Sequence, residues 1–113
     1  MLKLLVIRTH HLDQSKFYRT IGIALAEESH GKGPVHYAGT LDDAIFEIYP
    51  NSAETSLDTT IRLGFSVTDP QQVLQSLSCL GTQIVRQLGQ TTWGYRALVR
   101  DPDGRIVELY KGD

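Results

Sequence analysis

Cysteine is almost absent from this sequence, which holds one, Cys79, among 113 residues. A single thiol excludes a disulfide within the chain and a metal site built from several cysteines. Cys79 falls in an apolar helical pattern, from which we predict a buried and unreactive thiol. This cysteine usage is typical of a reducing compartment, and we expect a cytoplasmic protein.

Long apolar runs and clusters of positive charge are lacking too. The apolar run at residues 4–7 is too short for a membrane-spanning helix or for the core of a secretion signal. The 11 Lys and Arg residues are scattered along the chain, and the formal net charge is −2. Domains that bind nucleic acid concentrate basic residues on one face. We therefore expect neither a membrane nor a nucleic acid as a partner.

The first half of the chain has one helix pattern among four strand patterns. A β-rich run at residues 4–9 precedes helical spacing that stops at Gly22. Three short strand patterns follow, at residues 24–28, 34–40 and 43–49. They end at a polar stretch, residues 50–60, which we interpret as a linker.

The second half repeats this order. Asp69-Pro70 is a helix-start signal, with Asp as the N-cap and Pro at the first position, and Gly81 marks the stop. The predicted helix is residues 70–80, and the predicted strands are residues 61–67, 83–89, 93–100 and 105–110. Such a repeated order predicts a duplicated module. We predict a single α+β domain, residues 1–113, with modules at about residues 1–50 and 60–113.

Two matching strand patterns each carry a glutamate in the middle. IFEIY at residues 45–49 aligns with IVELY at residues 106–110, so Glu47 corresponds to Glu108. Strand interiors disfavour glutamate, and two charges in equivalent places require a common explanation. Because side chains alternate between the faces of a strand, each glutamate shares a face with the tyrosine two positions later. The apolar faces are expected to pack under the helices, which turns both carboxylates towards any cleft that the modules enclose.

Four stretches together resemble the vicinal-oxygen-chelate superfamily, which includes glyoxalase I, fosfomycin- and bleomycin-resistance proteins and extradiol dioxygenases. They are LLVIRTHHLDQSKFYRTIG (4–22), AIFEIYP (44–50), SVTDPQQVLQSLSCLG (66–81) and WGYRALVRDPDGRIVELYKG (93–112). The resemblance implies paired βαβββ modules that form a curved mixed sheet around a cleft, with the helices on the outer face. It also implies a homodimer. In the metal enzymes of the family, His, Gln or Glu on the first strand of each module and Glu on the last hold one divalent ion.

The resemblance carries over only half of that metal site. Glu47 and Glu108 match the last-strand ligands, whereas the first-strand positions fall on Leu4 or Lys3 and on Arg62. None of these three is a plausible metal ligand. We therefore expect no cofactor; a divalent ion bound weakly by the two carboxylates is the alternative. Arg62 is expected to take the electrostatic place of the metal by pairing with one or both glutamates.

Further candidates lie on the strands around these glutamates. The resemblance places Arg8 where relatives contact an anionic substrate, and an exposed strand-end arginine is an equal alternative. His36 is in mid-strand, so either His36 or Tyr37 points into the cleft, where a histidine can bind a carboxylate or act as a base. A histidine that is simply hydrogen-bonded within the sheet is the alternative. Tyr110, on the face of Glu108, is a candidate for an aromatic ligand-binding wall.

Two functions fit these residues. The first is a small-molecule-binding protein of the bleomycin-resistance kind, whose small organic ligand would contact Arg8, His36, Glu47, Arg62, Glu108 and Tyr110. The second is a glyoxalase-like lyase or isomerase in which Glu47 or Glu108 is the general base, with or without a metal. An adjacent arginine would lower the pKa of a glutamate and weaken it as a base, which favours binding. A cleft filled by its own side chains, in a protein that acts through dimerisation, is a third possibility.

Overall fold

A computed structural model of the chain describes residues 1–52 and 56–112, the side chain of Asp13 excepted. By its internal contacts the chain divides into two compact units, Met1–Asp58 and Thr59–Asp113. The elements of the first unit are β1 (Leu4–Thr9), a 3₁₀ turn (Leu12–Gln14), α1 (Ser15–Ile21), β2 (Ala26–Glu28), β3 (His36–Leu41) and β4 (Ala44–Pro50). Those of the second unit are β5 (Leu63–Val67), α2 (Pro70–Cys79), β6 (Ile84–Thr91), β7 (Gly94–Arg100) and β8 (Ile106–Lys111).

Each unit forms a four-stranded sheet with the same strand order. The order is β1-β4-β3-β2 in the first unit and β5-β8-β7-β6 in the second. The first and last strands of each unit pair in parallel, and the other pairs are antiparallel. The predicted α+β class and the two βαβββ modules are therefore confirmed. The strand patterns place the starts of β2, β3 and β5 two residues too early, and Arg62 consequently lies just before β5.

The helix signals in the sequence are confirmed. α2 begins after the N-cap Asp69, whose Oδ1 accepts a hydrogen bond from the backbone N–H of Gln72 (3.1 Å). α1 ends at Gly22, which has a φ of 123° that favours glycine. The N–H groups of Gly22 and of the next residue donate to carbonyls of the last turn, as those after α2 do at Gly81. No helix among the described residues is long and apolar enough to span a membrane.

One face of each sheet packs under the helix of its own unit. In the first unit Phe46 and Ile48 on β4 are fully buried, and the centroid of the Tyr18 ring on α1 lies 5.2 Å from that of Phe46. In the second unit Val107 and Leu109 on β8 are buried in the same way beneath α2. Because side chains alternate along a strand, the glutamate between each pair is turned to the opposite face. This arrangement confirms the predicted assignment of faces.

The prediction of a buried thiol is wrong, because Cys79 is exposed. The buried stripe of α2 contains Leu74 and Leu77. Cys79 is the last residue of the helix, two positions beyond Leu77, and a rotation of about 200° puts it on the outward side. The apolar character of the segment thus continues past the residues that face the sheet.

The turn between β7 and β8 is held by a buried ion pair. Arg105 is 1% exposed, and its Nη1 lies 3.1 Å from Oδ2 of Asp101 and 3.5 Å from Oδ2 of Asp103. The other oxygen of Asp101 accepts hydrogen bonds from the backbone N–H groups of Asp103 (2.9 Å) and Arg105 (3.0 Å). The network fixes the point at which β8 begins, and with it the position of Glu108 against β7.

We predict that Arg105→Met lowers the free energy of unfolding by about 3–5 kcal/mol, because the Asp101 carboxylate is left buried without its charge partner. The double variant Asp101→Asn/Arg105→Met should recover part of the loss, since asparagine still accepts the two backbone hydrogen bonds but carries no charge. Urea unfolding followed by far-UV circular dichroism measures both variants. A loss below about 1 kcal/mol for Arg105→Met, the size typical of an exposed pair, would contradict the assignment.

Candidate functional site

Glu108 is the centre of a hydrogen-bonded cluster in the second unit. The hydroxyl of Tyr110 donates to its Oε1 at 2.7 Å, and Nη2 of Arg62 donates to its Oε2 at 2.8 Å. Nη1 of Arg96 also donates to Oε1 and forms a second ion pair. The side chains of Glu108 and Arg96 are 14% and 11% exposed, whereas that of Arg62 is 53% exposed. The predicted pairing of Arg62 with a glutamate is therefore present, at Glu108.

Strand register explains how this cluster forms. β8 is an inner strand, so Glu108 has Leu98 of β7 on one side and Gly64 of β5 on the other. Arg96 is opposite Tyr110, two positions along, and points to the same face as Glu108. Gly64 leaves space for the tyrosine, because a Cβ atom there would lie only 3.3 Å from Cε1 of Tyr110.

The cluster keeps Glu108 in its charged form. Burial would raise the pKa of Glu108, but the hydrogen bonds from Tyr110 and Arg96 and the charges of Arg96 and Arg62 outweigh it. The pKa of the carboxyl group therefore lies below its ordinary value of 4.5. For Arg96, burial would lower the pKa, but Glu108 and Tyr110 act in the opposite direction and the pKa is raised. A carboxylate held in this way is a weak base.

Arg96 was missed in the sequence analysis, although it is the most buried cation of the cluster. Its Cζ lies 5.2 Å from the ring centroid of Trp93 and 5.9 Å from that of Tyr110. Nε of Arg96 is buried and has no hydrogen-bond partner among the described residues. The sequence signal was the alternation in WGYRALVR, which puts Arg96 on the face opposite Ala97 and Val99. Its use required the register of β7 against β8.

Glu47 occupies the equivalent place in the first unit, with a different partner. Oε2 of Glu47 lies 3.6 Å from Nε2 of His36, which is 1% exposed. The imidazole stacks on the ring of Tyr49, with 4.1 Å between centroids and 9° between planes. Arg8 lies over the same tyrosine, 5.0 Å from the centroid, and donates to the carbonyl of Pro50 (3.3 Å). His36, and not Tyr37, is thus the residue that faces the glutamate.

The two units follow one plan. Each has a glutamate on its last strand, a tyrosine two positions later, and a basic side chain on the neighbouring strand that contacts the tyrosine ring. The basic residue is His36 in the first unit and Arg96 in the second. Two further residues beside His36, Glu28 and His30, were not predicted to belong to a site. Their approach depends on the loop after β2, whose path the sequence pattern does not give.

The metal site implied by the resemblance does not fit these residues. The first-strand residues beside the two glutamates are Val6, paired with Glu47, and Gly64, paired with Glu108. Neither has a side-chain ligand atom. Two guanidinium groups already bind Glu108, and their positive charge opposes a cation at that carboxylate.

The sequence matches the family model of the Glyoxalase/Bleomycin resistance protein/Dioxygenase superfamily over residues 2–109. No curated protein sequence matches the chain. Among solved structures, TioX from Micromonospora sp. ML1 aligns with a TM-score of 0.71 at 19% identity, covering 98% of each chain. Lactoylglutathione lyase from Agrobacterium tumefaciens aligns with a TM-score of 0.67 at 15% identity, covering 99% of this chain and 93% of that one. A glyoxalase I variant from Zea mays aligns with a TM-score of 0.73 at 22% identity, covering 96% of this chain and 45% of that one. Such identities show a shared fold alone.

We predict that Glu108→Gln lowers the free energy of unfolding at neutral pH and that this loss shrinks in acid. Because the folded-state pKa of Glu108 lies below 4.5, its charge stabilises the folded state at pH values above 4.5. The stabilisation is lost as the pH falls below 4.5 through the folded pKa, where wild type and variant become alike. Urea unfolding between neutral pH and about pH 3 measures the difference.

Glu27→Gln is the matched control, because Glu27 is an exposed glutamate on β2. We expect it to differ little from the wild type at any pH. A Glu108→Gln loss of the same size at every pH would contradict the role given to the Glu108 charge.

Proposed function

Because the chain belongs to the Glyoxalase/Bleomycin resistance protein/Dioxygenase superfamily, we propose that it is a small-molecule-binding protein of the bleomycin-resistance type. In this proposal it works without the metal site of the glyoxalases. The ligand is a small organic molecule with a flat aromatic part. The observation that carries the proposal is the cluster around Glu108. In this cluster two arginines and a tyrosine hydroxyl donate hydrogen bonds to the carboxylate.

The state of Glu108 argues for binding over proton abstraction. A general base for a carbon acid works best when its pKa is near the working pH. The pKa of Glu108 is shifted in the opposite direction, below 4.5. Its charge instead orients Arg96, whose Cζ lies 5.2 Å from the ring centroid of Trp93 and 5.9 Å from that of Tyr110.

The groups around Arg96 suit a flat aromatic ligand with a hydrogen-bond acceptor. Trp93 is 73% exposed, and a large exposed aromatic ring beside a fixed cation is a favourable stacking surface. The guanidinium of Arg96, 11% exposed beside this ring, adds a cation to the surface on which such a ligand could stack. Arg62, half exposed at the edge of the cluster, could contact a negatively charged substituent of the ligand.

The first unit supports the same proposal with a more apolar surface. Leu4 and Val6 on β1 and Ile45 on β4 share the face of Glu47, and they are 50%, 38% and 48% exposed. Arg8 and Tyr49 continue this face along the strands. An apolar surface with few polar groups is typical of sites that bind organic ligands.

A lyase or isomerase that uses Glu47 is the second candidate. Among the described residues, no arginine or lysine lies within ion-pair distance of Glu47, so no guanidinium occupies its carboxylate as two do at Glu108. The test is isomerisation of the hemithioacetal of methylglyoxal and glutathione. Turnover by the wild type and by Glu27→Gln, but not by Glu47→Gln, would establish the enzymatic function. That function would then be favoured over the binding proposal.

We propose further that the protein is a cytoplasmic homodimer. The single cysteine of the sequence, which excludes a disulfide within the chain, supports the location, and fractionation of the native cells tests it. Light scattering at micromolar concentration tests the dimer. A scattering mass equal to that of one chain would contradict it.

Binding can be measured through Trp93, the only tryptophan of the sequence. The two probes are anilinonaphthalene sulfonate, a flat aromatic anion, and metal-free bleomycin. We predict that both quench the fluorescence of Trp93. For at least one probe, the quenching should saturate at one molecule per chain. Arg96→Gln should weaken this binding at least about tenfold, because the variant loses the cation beside the Trp93 ring.

Arg19→Gln is the matched control. Arg19 also lies over an aromatic ring, that of Tyr37 at 5.1 Å, but it belongs to α1 of the first unit and is remote in the chain from Glu108. We expect Arg19→Gln to bind both probes like the wild type. Failure of both probes to quench Trp93, or equal binding by Arg96→Gln and the wild type, would contradict the proposed site.

A further inference from the structure

Three side chains with metal-binding atoms converge at the loop end of the β2–β3 hairpin. Glu28 is the last residue of β2 and pairs across the sheet with His36 at the start of β3. The loop between them turns at Gly31, which has a φ of 57°, and brings His30 back over the strands. Glu28, His30 and His36 each have one potential ligand atom here, and these three atoms lie within 4.8 Å of one another.

His36 shows which of its ring nitrogens faces this point. Nδ1 lies 3.2 Å from the carbonyl oxygen of Pro34. A carbonyl can only accept, so Nδ1 carries the proton, and in the neutral ring Nε2 has a free lone pair. Among the described residues Nε2 has no hydrogen-bond partner, although His36 is 99% buried. A histidine that donates one N–H to a backbone carbonyl has the usual orientation of a metal ligand.

The surroundings of Nε2 are negatively charged. Oε1 of Glu28 lies 3.5 Å from it, and Oε2 of Glu47 lies 3.6 Å from it. A lone pair opposite two carboxylates is repulsive unless a cation or a proton lies between them. A proton on Nε2 could satisfy one such contact. His30 approaches the same carboxylate oxygen, with its Nε2 at hydrogen-bond distance (3.2 Å) from Oε1 of Glu28, so two imidazoles share one oxygen.

Two of the three separations between ligand atoms are close to those around a tetrahedral metal ion. An ion with bonds of about 2.1 Å to nitrogen and oxygen separates its ligand atoms by about 3.4 Å. The Glu28 oxygen lies 3.2 Å from the His30 nitrogen and 3.5 Å from that of His36. Two imidazoles and one carboxylate are ligands for Zn²⁺, Ni²⁺ or Co²⁺ rather than for Mg²⁺ or Ca²⁺.

We propose that Glu28, His30 and His36 form a binding site for a divalent transition metal ion, most favourably Zn²⁺, within the first unit. Three protein ligands leave the fourth position open for water. Glu47 places a second negative charge beside the ion through its contact with His36. None of the three ligands belongs to the Glu108 cluster, whose residues are those of the second unit.

Exposure fits a site that can load and release its ion. The side chains of Glu28 and His30 are 40% and 73% exposed, while that of His36 is 1% exposed. The ion therefore has one ligand fixed in the sheet and two at the surface. Such an open site is expected to exchange its ion with chelators without unfolding.

The test is a Zn²⁺ titration of the untagged protein, in competition with a chromophoric chelator. We expect one Zn²⁺ per chain. His30→Asn and Glu28→Gln should each weaken the affinity at least about tenfold, as expected when a metal ligand or its close support is removed. His10→Asn and Glu27→Gln are the matched controls, since both are exposed, and they should bind like the wild type. These four positions are at the surface, so folding of the variants is expected.

A spectroscopic measurement separates a metal from a proton. In imidazole ¹H–¹⁵N spectra recorded at neutral pH, Zn²⁺ should shift the Nε2 resonance of His36 while Nδ1 keeps its proton. The proposal is overturned by the absence of stoichiometric Zn²⁺ binding, or by His30→Asn and Glu28→Gln binding like their controls. It is also overturned if His36 carries protons on both nitrogens and Zn²⁺ leaves its resonances unchanged.

Discussion

A carboxylate on the inner strand of a sheet must be matched by a positive partner, because its charge is costly where water is restricted. Glu47 and Glu108 both impose this constraint, and the residues of their faces follow from it. In the second unit the match is made by Arg96 and Arg62, with the Tyr110 hydroxyl as a further donor. The chemistry of that face is therefore that of a fixed guanidinium between aromatic rings, and not that of a free base.

The first unit places a histidine beside Glu47, and a proton or a metal ion between the two side chains would supply the positive charge. Imidazole is smaller than guanidinium, can be neutral, and has a lone pair to offer. His36 leaves one nitrogen facing Glu28 and Glu47 in place of a closed ion pair. Two copies of one module thus present different chemistry from equivalent positions. A duplicated fold permits this divergence, because the sheet and helix of each unit are held by their own apolar faces.

Local signals made most of the fold predictable from the sequence. Asp69, Gly22 and Gly81 mark helix ends through contacts within a few residues, and strand alternation alone assigns the faces of Glu47 and Glu108. Features that depend on how strands are placed against each other were not predictable.

Arg96 reaches Glu108 because the register of β7 against β8 puts Arg96 opposite Tyr110, two positions from Glu108. Glu28 and His30 meet only because the loop after β2 folds back over the sheet. Cys79 was wrongly predicted to be buried, because the apolar segment of the sequence extends beyond the last residues of α2 that face the sheet.

The position of the last strand has a consequence for how each unit is made. β4 lies between β1 and β3, and β8 lies between β5 and β7. In each unit, therefore, an inner strand of the sheet is the last strand to leave the ribosome. Until it arrives, β1 has no neighbour, and closing the sheet joins Leu4 to Ile45 across most of the unit. Such long-range closure is slow compared with helix formation. The first unit can complete its sheet during synthesis of the second, whereas the second becomes whole only when residues 106–111 are released.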